Sequence, residues 1–267
     1  NISVKLDQQQ MIIKSSGFLL KSITKDSGCS IVRYPEISRY LDSANQDENG
    51  FSAIINAAII ETDTRPSIET GFHALLGTYV IHTHSIYANL LTCARMGPQL
   101  VDKLFPSALW VDYAMPGHAL SAAIKMKLKK HSKYSCIIFL KNHGLIISAD
   151  SCSAVLDSYQ HVQTIIQNYF DLKVEDFDLN RCCFDREFMS NHVLFPDQVV
   201  YTASDTALLK TIAGKETLAA YSFILKTLEQ KGLIPDFLEN KQAKLLANLE
   251  SERHRQCVIL QQEKDFL

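Results

Sequence analysis

Two stretches decide how this chain is read: Tyr79-Val80-Ile81-His82-Thr83-His84, and Ile137-Ile138-Phe139-Leu140-Lys141-Asn142-His143-Gly144-Leu145-Ile146-Ile147. The first belongs to a β-rich run from Thr78 to His84. The second gives two very apolar strands, Tyr134 to Leu140 and Leu145 to Ser148, joined by a tight turn. A helix is expected after each, from Ser85 to Ala94 and from Ala154 to Tyr169. The latter places apolar residues at Ala154, Val155, Tyr159, Val162, Ile165, Ile166 and Tyr169, the 3.6-residue period of a half-buried helix. Strands interleaved with helices favour a layered α/β domain.

Working outward, Ile2 to Leu6 and Met11 to Lys14 read as short extended segments before a turn at Ser15-Ser16-Gly17. Ala53 to Ile60 reads as strand-like. Thr64-Arg65-Pro66-Ser67 opens a helix that Ser67 caps, running through Leu76 to a stop at Gly77. Ser107 to Tyr113 is expected to be extended, followed by a basic amphipathic helix over Ala119 to His131. Asp171 to Pro196 looks irregular; a short strand at Val199 to Tyr201 and helices near 216–230 and 240–263 complete the chain. Asn1 already stands inside an alternating strand, so residues are expected to precede it.

Composition excludes several classes. With 27 Lys+Arg against 29 Asp+Glu the net charge is -2, without the concentrated positive charge that a phosphate backbone demands, so nucleic acid is not the expected partner. Apolar runs such as Cys136 to Leu140 fall far short of the ~20 residues that span a bilayer, so no membrane is expected either. No secretory apolar region opens the sequence. Seven cysteines without regular spacing, Cys182-Cys183 among them, read as reduced thiols, and a cytoplasmic location follows as the expectation.

Nine histidines are unremarkable in number; their placement is what matters. His82 and His84 stand two apart, so in a strand both imidazoles leave the same face, close enough to share an ion. Two polar residues at a strand end would give the same pattern. His143 is fixed in its turn beside Gly144, where a third imidazole would leave a fourth zinc position open, although a turn-capping histidine is equally consistent. Glu69 and His73 share one face of the expected helix, with Glu69 in its dipole-favoured first turn. A surface glutamate and a packed histidine are the plainer alternatives. Asn1, Ser16, Gly17 and Ser67 offer amide and hydroxyl donors suited to an anion, a feature common in soluble proteins. There is no GxGxxG or GxxxxGK[ST].

Taken together, Asn1-Ile2-Ser3-Val4-Lys5, Lys14-Ser15-Ser16-Gly17, Pro66-Ser67-Ile68-Glu69 with His73, His82-Thr83-His84-Ser85, Tyr113-Ala114-Met115-Pro116-Gly117 and Asn142-His143-Gly144-Leu145 resemble, in order, the class II aldolase/adducin family over about residues 1–170. The resemblance implies an α/β fold: a three-layer α/β/α domain around a central, largely antiparallel sheet, over 1–204, with a helical C-terminal extension over 205–267. It implies zinc, or another divalent transition metal, on His82, His84 and His143, with Glu69 as the catalytic acid/base. Phosphate contacts would fall on Asn1, Ser16, Gly17 and Ser67. Ile68 departs from the family's second serine, keeping a backbone N–H but no hydroxyl.

The activity implied is reversible cleavage of a ketose 1-phosphate to dihydroxyacetone phosphate and an aldehyde, by a homotetramer. Relatives that epimerise or dehydrate sugar phosphates give the alternative, and adducin a non-catalytic one that normally goes with loss of the zinc ligands retained here. The segment usual in fuculose-phosphate-type aldolases for protonating the leaving group is absent from Leu91 to Val111; Tyr113, Tyr87 and His118 are the candidate acids. Leu104 to Gly117, and more weakly Asn191 to Asp197 and Glu250 to Arg255, look like the aldolase-like domains of bifunctional rhamnulose-1-phosphate aldolase/short-chain dehydrogenase proteins.

Overall fold

Among the described residues of the computed structural model, eight short strands pair into one sheet: β1 (Ile2–Lys5), β2 (Gln10–Lys14), β3 (Cys29–Arg33), β4 (Ile59–Thr62), β5 (Tyr79–Thr83), β6 (Leu109–Val111), β7 (Ile137–Leu140) and β8 (Gly144–Ala149). Their order is β4-β3-β2-β1-β5-β8-β7-β6. The structure describes residues 1–18, 20–43, 47–62, 64–130, 137–173, 177–179, 186–202 and 206–265. His131, the expected strand start at Tyr134, Cys136, the Cys182-Cys183 pair and the first residue of the 205–267 segment lie outside them. The architecture is a three-layer α/β/α domain on a largely antiparallel sheet, with a helical extension. Among the described residues no helix is long and apolar enough to cross a membrane.

The described chain divides into two compact units. One comprises Asn1–Thr83, Val111–Ile138 and Ile146–Tyr159. Here β1 pairs antiparallel with both β2 and β5, and β3 continues the ladder from β2 to β4. Period-two alternation sends Met11, Ile13 and Val32 to one face, where they are fully buried with Ile37, Phe51, Ile55 and Ala74 from three helices. Burying a Val, Ile or Phe side chain stabilises by about 1.5–3 kcal/mol, so this cluster is a main source of the unit's stability.

The expected strand over Ala53 to Ile60 is corrected here. Glu48–Ala57 is a helix, and only Ile59–Thr62 is extended. Asp47 caps the helix, its side chain accepting from the Gly50 N–H at 2.7 Å. Phe51, Ile55 and Ala58 are the buried positions, a helical spacing that the continuous apolar run conceals.

The other unit comprises His84–Trp110, Phe139–Leu145 and Gln160–Leu267. Its helices include Ile86–Thr92, Gly97–Leu104, Arg186–Asn191, Pro196–Thr202, Ile212–Gln230, Asn240–Ala247 and Glu250–Asp265. Val199 to Tyr201, expected as a strand, is therefore helical, and part of the stretch expected to be irregular forms Arg186–Asn191. Pro196 suits the first helical position, since its missing N–H costs nothing there. Val200 and Tyr201 are buried with Leu208, Ala213 and Ile259, so tertiary packing overrides the β propensity of a Val-Val-Tyr run.

Candidate metal centre

Asn1 is locked to the end of β5 by two backbone hydrogen bonds, its nitrogen to the His82 carbonyl at 2.6 Å and the His82 N–H to its own carbonyl at 2.8 Å. Its side-chain amide donates to Ser67 Oγ at 2.6 Å and lies 3.4 Å from Glu69 Oε2. The turn at Ser15-Ser16-Gly17 flanks the same segment, for Ser15 bridges to Pro66 and the Ser16 N–H donates to the Arg65 carbonyl at 2.9 Å. Gly17 has φ +82°, the left-handed conformation that a side chain would resist.

Ser67 does not cap the helix, contrary to expectation. That helix is Thr70–Leu75, and Glu69 occupies the N-cap position without a side-chain cap hydrogen bond. Ser67 instead accepts from the Glu69 N–H at 3.2 Å. The Glu69 carboxylate is thus available for other partners: Oε1 lies 3.2 Å from His82 Nε2, and only 9% of the residue is exposed. The edge of the His82 ring meets Phe72, which fixes its tilt. His73, the same-face partner of Glu69 in the sequence reading, is fully buried, stacks on Phe72 and shares a 2.7 Å hydrogen bond with Ser3 Oγ. Burial holds its pKa well below the ordinary histidine range, so it is a neutral packing group.

His84 directly follows β5. Ser85 then caps the helix Ile86–Thr92 and donates to Gln163 Oε1 at 2.6 Å, fixing the backbone just after His84. His84 Nδ1 meets Asp197 Oδ2 at 2.5 Å, and Arg255 Nη2 donates to Asp197 Oδ1 at 2.9 Å. Burial alone would raise the pKa of Asp197, but the adjacent Arg255 guanidinium and His84 ring outweigh it and hold the carboxyl well below the usual range.

His143 stands in the turn between β7 and β8. Asn142 takes φ +51°, a conformation Asn tolerates better than most residues. Its side-chain amide donates to the carbonyls of Leu194 and Asp236, at 2.9 and 2.5 Å, and its own N–H to Thr92 at 2.9 Å. The turn is thereby immobilised, and the His143 ring meets the His84 ring edge-on at 4.8 Å.

The chain runs directly from His82 through Thr83 to His84, and one ligand atom from each of Glu69, His82, His84 and His143 lies within 4.8 Å of every other. Such a set is capable of coordinating a divalent metal. Donors ~2.0–2.2 Å from one tetrahedral ion stand about 3.4 Å apart, so each need move by less than about an ångström to close on an ion. Three imidazoles and a carboxylate suit zinc and its first-row neighbours rather than calcium or magnesium. With Asp197 on His84 Nδ1, a metal would be bound through Nε2.

The structure brings Glu69, His82, His84 and His143 to one place, with Asn1 and Ser67 hydrogen-bonded beside Glu69. The candidate acids are not in that cluster: the Tyr113 hydroxyl donates to Met115 Sδ, Tyr87 packs on Phe223, and His118 packs between Tyr40 and Phe51. Asp197 and Arg255 carry no site signal in the sequence beyond the resemblance of their segments, and no short-range spacing links either residue to His84.

Among solved structures, the N-terminal class II aldolase domain of a conserved Thermoplasma acidophilum protein is 20% identical, with a TM-score of 0.56 over 63% of this chain and 82% of that one. YgbL from Klebsiella pneumoniae is 18% identical, with a TM-score of 0.45 over 65% of this chain and 78% of its own. An L-fuculose 1-phosphate aldolase is 14% identical, with a TM-score of 0.40 over 92% and 82%. No individual curated protein matches the sequence significantly. The family model for the class II aldolase and adducin N-terminal domain matches residues 1–170. That match spans more than half of the chain and takes in all four residues of the cluster, and the chain therefore belongs to the class II aldolase and adducin N-terminal domain family.

Proposed function

We propose that this chain is a metal-dependent aldolase that reversibly cleaves a ketose 1-phosphate into dihydroxyacetone phosphate and an aldehyde. The observation that carries the reading is the convergence of three imidazoles with one nearly buried carboxylate. His82, His84 and His143 would hold the ion, zinc or another divalent transition metal. When bound, it supplies Lewis-acid polarisation of a substrate carbonyl. Glu69 moves the proton on the carbon beside that carbonyl, removing it in condensation and returning it in cleavage. Asn1, Ser67, Ser16 and Gly17 bind the phosphate, so that binding energy at a remote group orients the reacting carbons. Ile68 adds a backbone N–H alone.

Within the family, the segments bearing Asp197 and Arg255 support a place near the aldolase-like domains of the bifunctional rhamnulose-1-phosphate aldolases, with 1–204 as the catalytic domain and 205–267 as its extension. Free thiols at Cys29, Cys93, Cys152 and Cys257 support a reducing, cytoplasmic setting. The group that takes the hydroxyl proton as the aldehyde leaves, and returns it to the aldehyde oxygen in condensation, is lacking from the four-residue cluster, which supports a homotetramer whose neighbouring subunit supplies it. Sedimentation should then give about four times the 30.1 kDa chain mass, and a fully active monomer would contradict it.

The activity is tested by incubating zinc-loaded protein with a panel of ketose 1-phosphates. Release of dihydroxyacetone phosphate is expected from at least one. A product of unchanged mass would replace the reading with epimerisation, and a product lighter by one water with dehydration.

A further inference from the structure

His84 is the most exposed of the three imidazoles. His82 lies in a paired strand and is 1% exposed, and His143 sits in a turn pinned by Asn142 and is 2% exposed. His84 stands beyond the end of β5, with 18% of its side chain exposed. What holds its ring comes from a distant part of the sequence. Asp197, in the first turn of the helix Pro196–Thr202, places one carboxylate oxygen on His84 Nδ1 at 2.5 Å and receives Arg255 Nη2 on the other at 2.9 Å. Both oxygens are engaged, so the carboxylate cannot turn without breaking a charge-assisted hydrogen bond.

Arg255 is itself held in place. Its guanidinium lies over the Tyr201 ring at 5.0 Å, and Nη1 is 3.4 Å from Glu252 Oε2, in a residue only 5% exposed. The helix that carries it, Glu250–Asp265, is anchored through Ile259 in the core cluster with Val200 and Tyr201, and through a 2.6 Å hydrogen bond from Gln256 Nε2 to the Val200 carbonyl. A histidine whose Nδ1 is fixed on a carboxylate presents Nε2 in one orientation and with raised basicity.

We propose that Asp197 and Arg255, both outside the family match over 1–170, are positioning residues for His84 and set how tightly the centre holds its metal. The helical region after residue 170 is then part of the metal centre. This inference rests on the reading of the four-residue cluster as a metal site, not on which reaction follows.

Zinc affinity is measured on metal-stripped protein by competition with a chromophoric chelator at one fixed pH, together with the melting temperature of the stripped form. Asp197→Asn is expected to bind zinc roughly 10–100-fold more weakly, the usual effect of losing a ligand's outer partner. Because that variant leaves Arg255 without its carboxylate, the double variant Asp197→Asn/Arg255→Met is made beside it. It should melt close to wild type and still bind zinc 10–100-fold more weakly. Asp42→Asn, which removes a surface ion pair to Lys125, should bind as wild type does. Wild-type affinity in the double variant, within about twofold, would overturn the proposal. Failure of zinc-loaded wild type to cleave any ketose phosphate would instead overturn the aldolase reading and leave these affinities standing.

Discussion

Replacing Glu69 by Gln separates proton transfer from metal binding. The two side chains are nearly isosteric, and the site is tight: the Glu69 side chain is 12% exposed, with its carboxylate 3.2 Å from His82 Nε2 on one oxygen and 3.4 Å from Asn1 Nδ2 on the other. An amide fits that space and can still accept from Asn1 through its oxygen, so the fold and the three imidazoles should be undisturbed. Glutamine cannot take up a proton near neutral pH, and a positioned general acid or base contributes typically 10²–10⁴-fold. That corresponds to about 2.7–5.5 kcal/mol of barrier. Zinc content should stay near the wild-type level, because three histidines complete the protein ligand set of a catalytic site. The assay pairs metal analysis of the purified variant with its kcat on whichever ketose phosphate wild type cleaves. Wild-type turnover in Glu69→Gln would refute the proton-transfer role, and loss of zinc with loss of turnover would recast Glu69 as an indispensable ligand.

Other outcomes follow from the same geometry. His84→Ala should lose metal and activity together; full zinc occupancy by metal analysis would remove His84 from the ligand set. Gly71 is buried in the helix Thr70–Leu75, where an added Cβ would meet Phe51 Cε2 at 2.8 Å. Gly71→Ala should therefore cost about 1–3 kcal/mol of stability, seen as a lower denaturation midpoint with an unchanged slope. Cys93 is fully buried and its thiol is pushed up to about 12, chiefly by burial, whereas Cys152 and Cys257 are exposed. Since the thiolate is the nucleophile, iodoacetamide at pH 8 should label Cys152 and Cys257 in the native protein and Cys93 only after denaturation; peptide mapping that finds Cys93 labelled as fast as Cys152 would contradict this.

The site was legible in the sequence where its residues lie on short regular pieces. His82 and His84 share a face because a strand has period two, and His143 is singled out by a turn between two apolar strands. Glu69 was found through the motif around it, but its position was misjudged: Ser67 is held by Asn1 and the Glu69 N–H, so the helix starts later and Glu69 stands at its cap. Asp197 reaches His84 across 113 residues, a pairing that local spacing does not encode. The two misread strands fail for one physical reason. In Ala53 to Ile60 a nearly continuous apolar run hides the helical period, and in Val199 to Tyr201 the residue types favour extension, while in both the buried subset is chosen by packing partners elsewhere in the chain.

The central claim is that the Glu69, His82, His84 and His143 cluster is a metal-dependent catalytic centre, and a zinc titration of stripped wild-type protein tests it most directly. Release of dihydroxyacetone phosphate should rise in proportion to zinc added and break sharply at one equivalent per chain. Cleavage that is undiminished in stripped protein, or zinc binding that saturates without any turnover of a sugar phosphate, would contradict it.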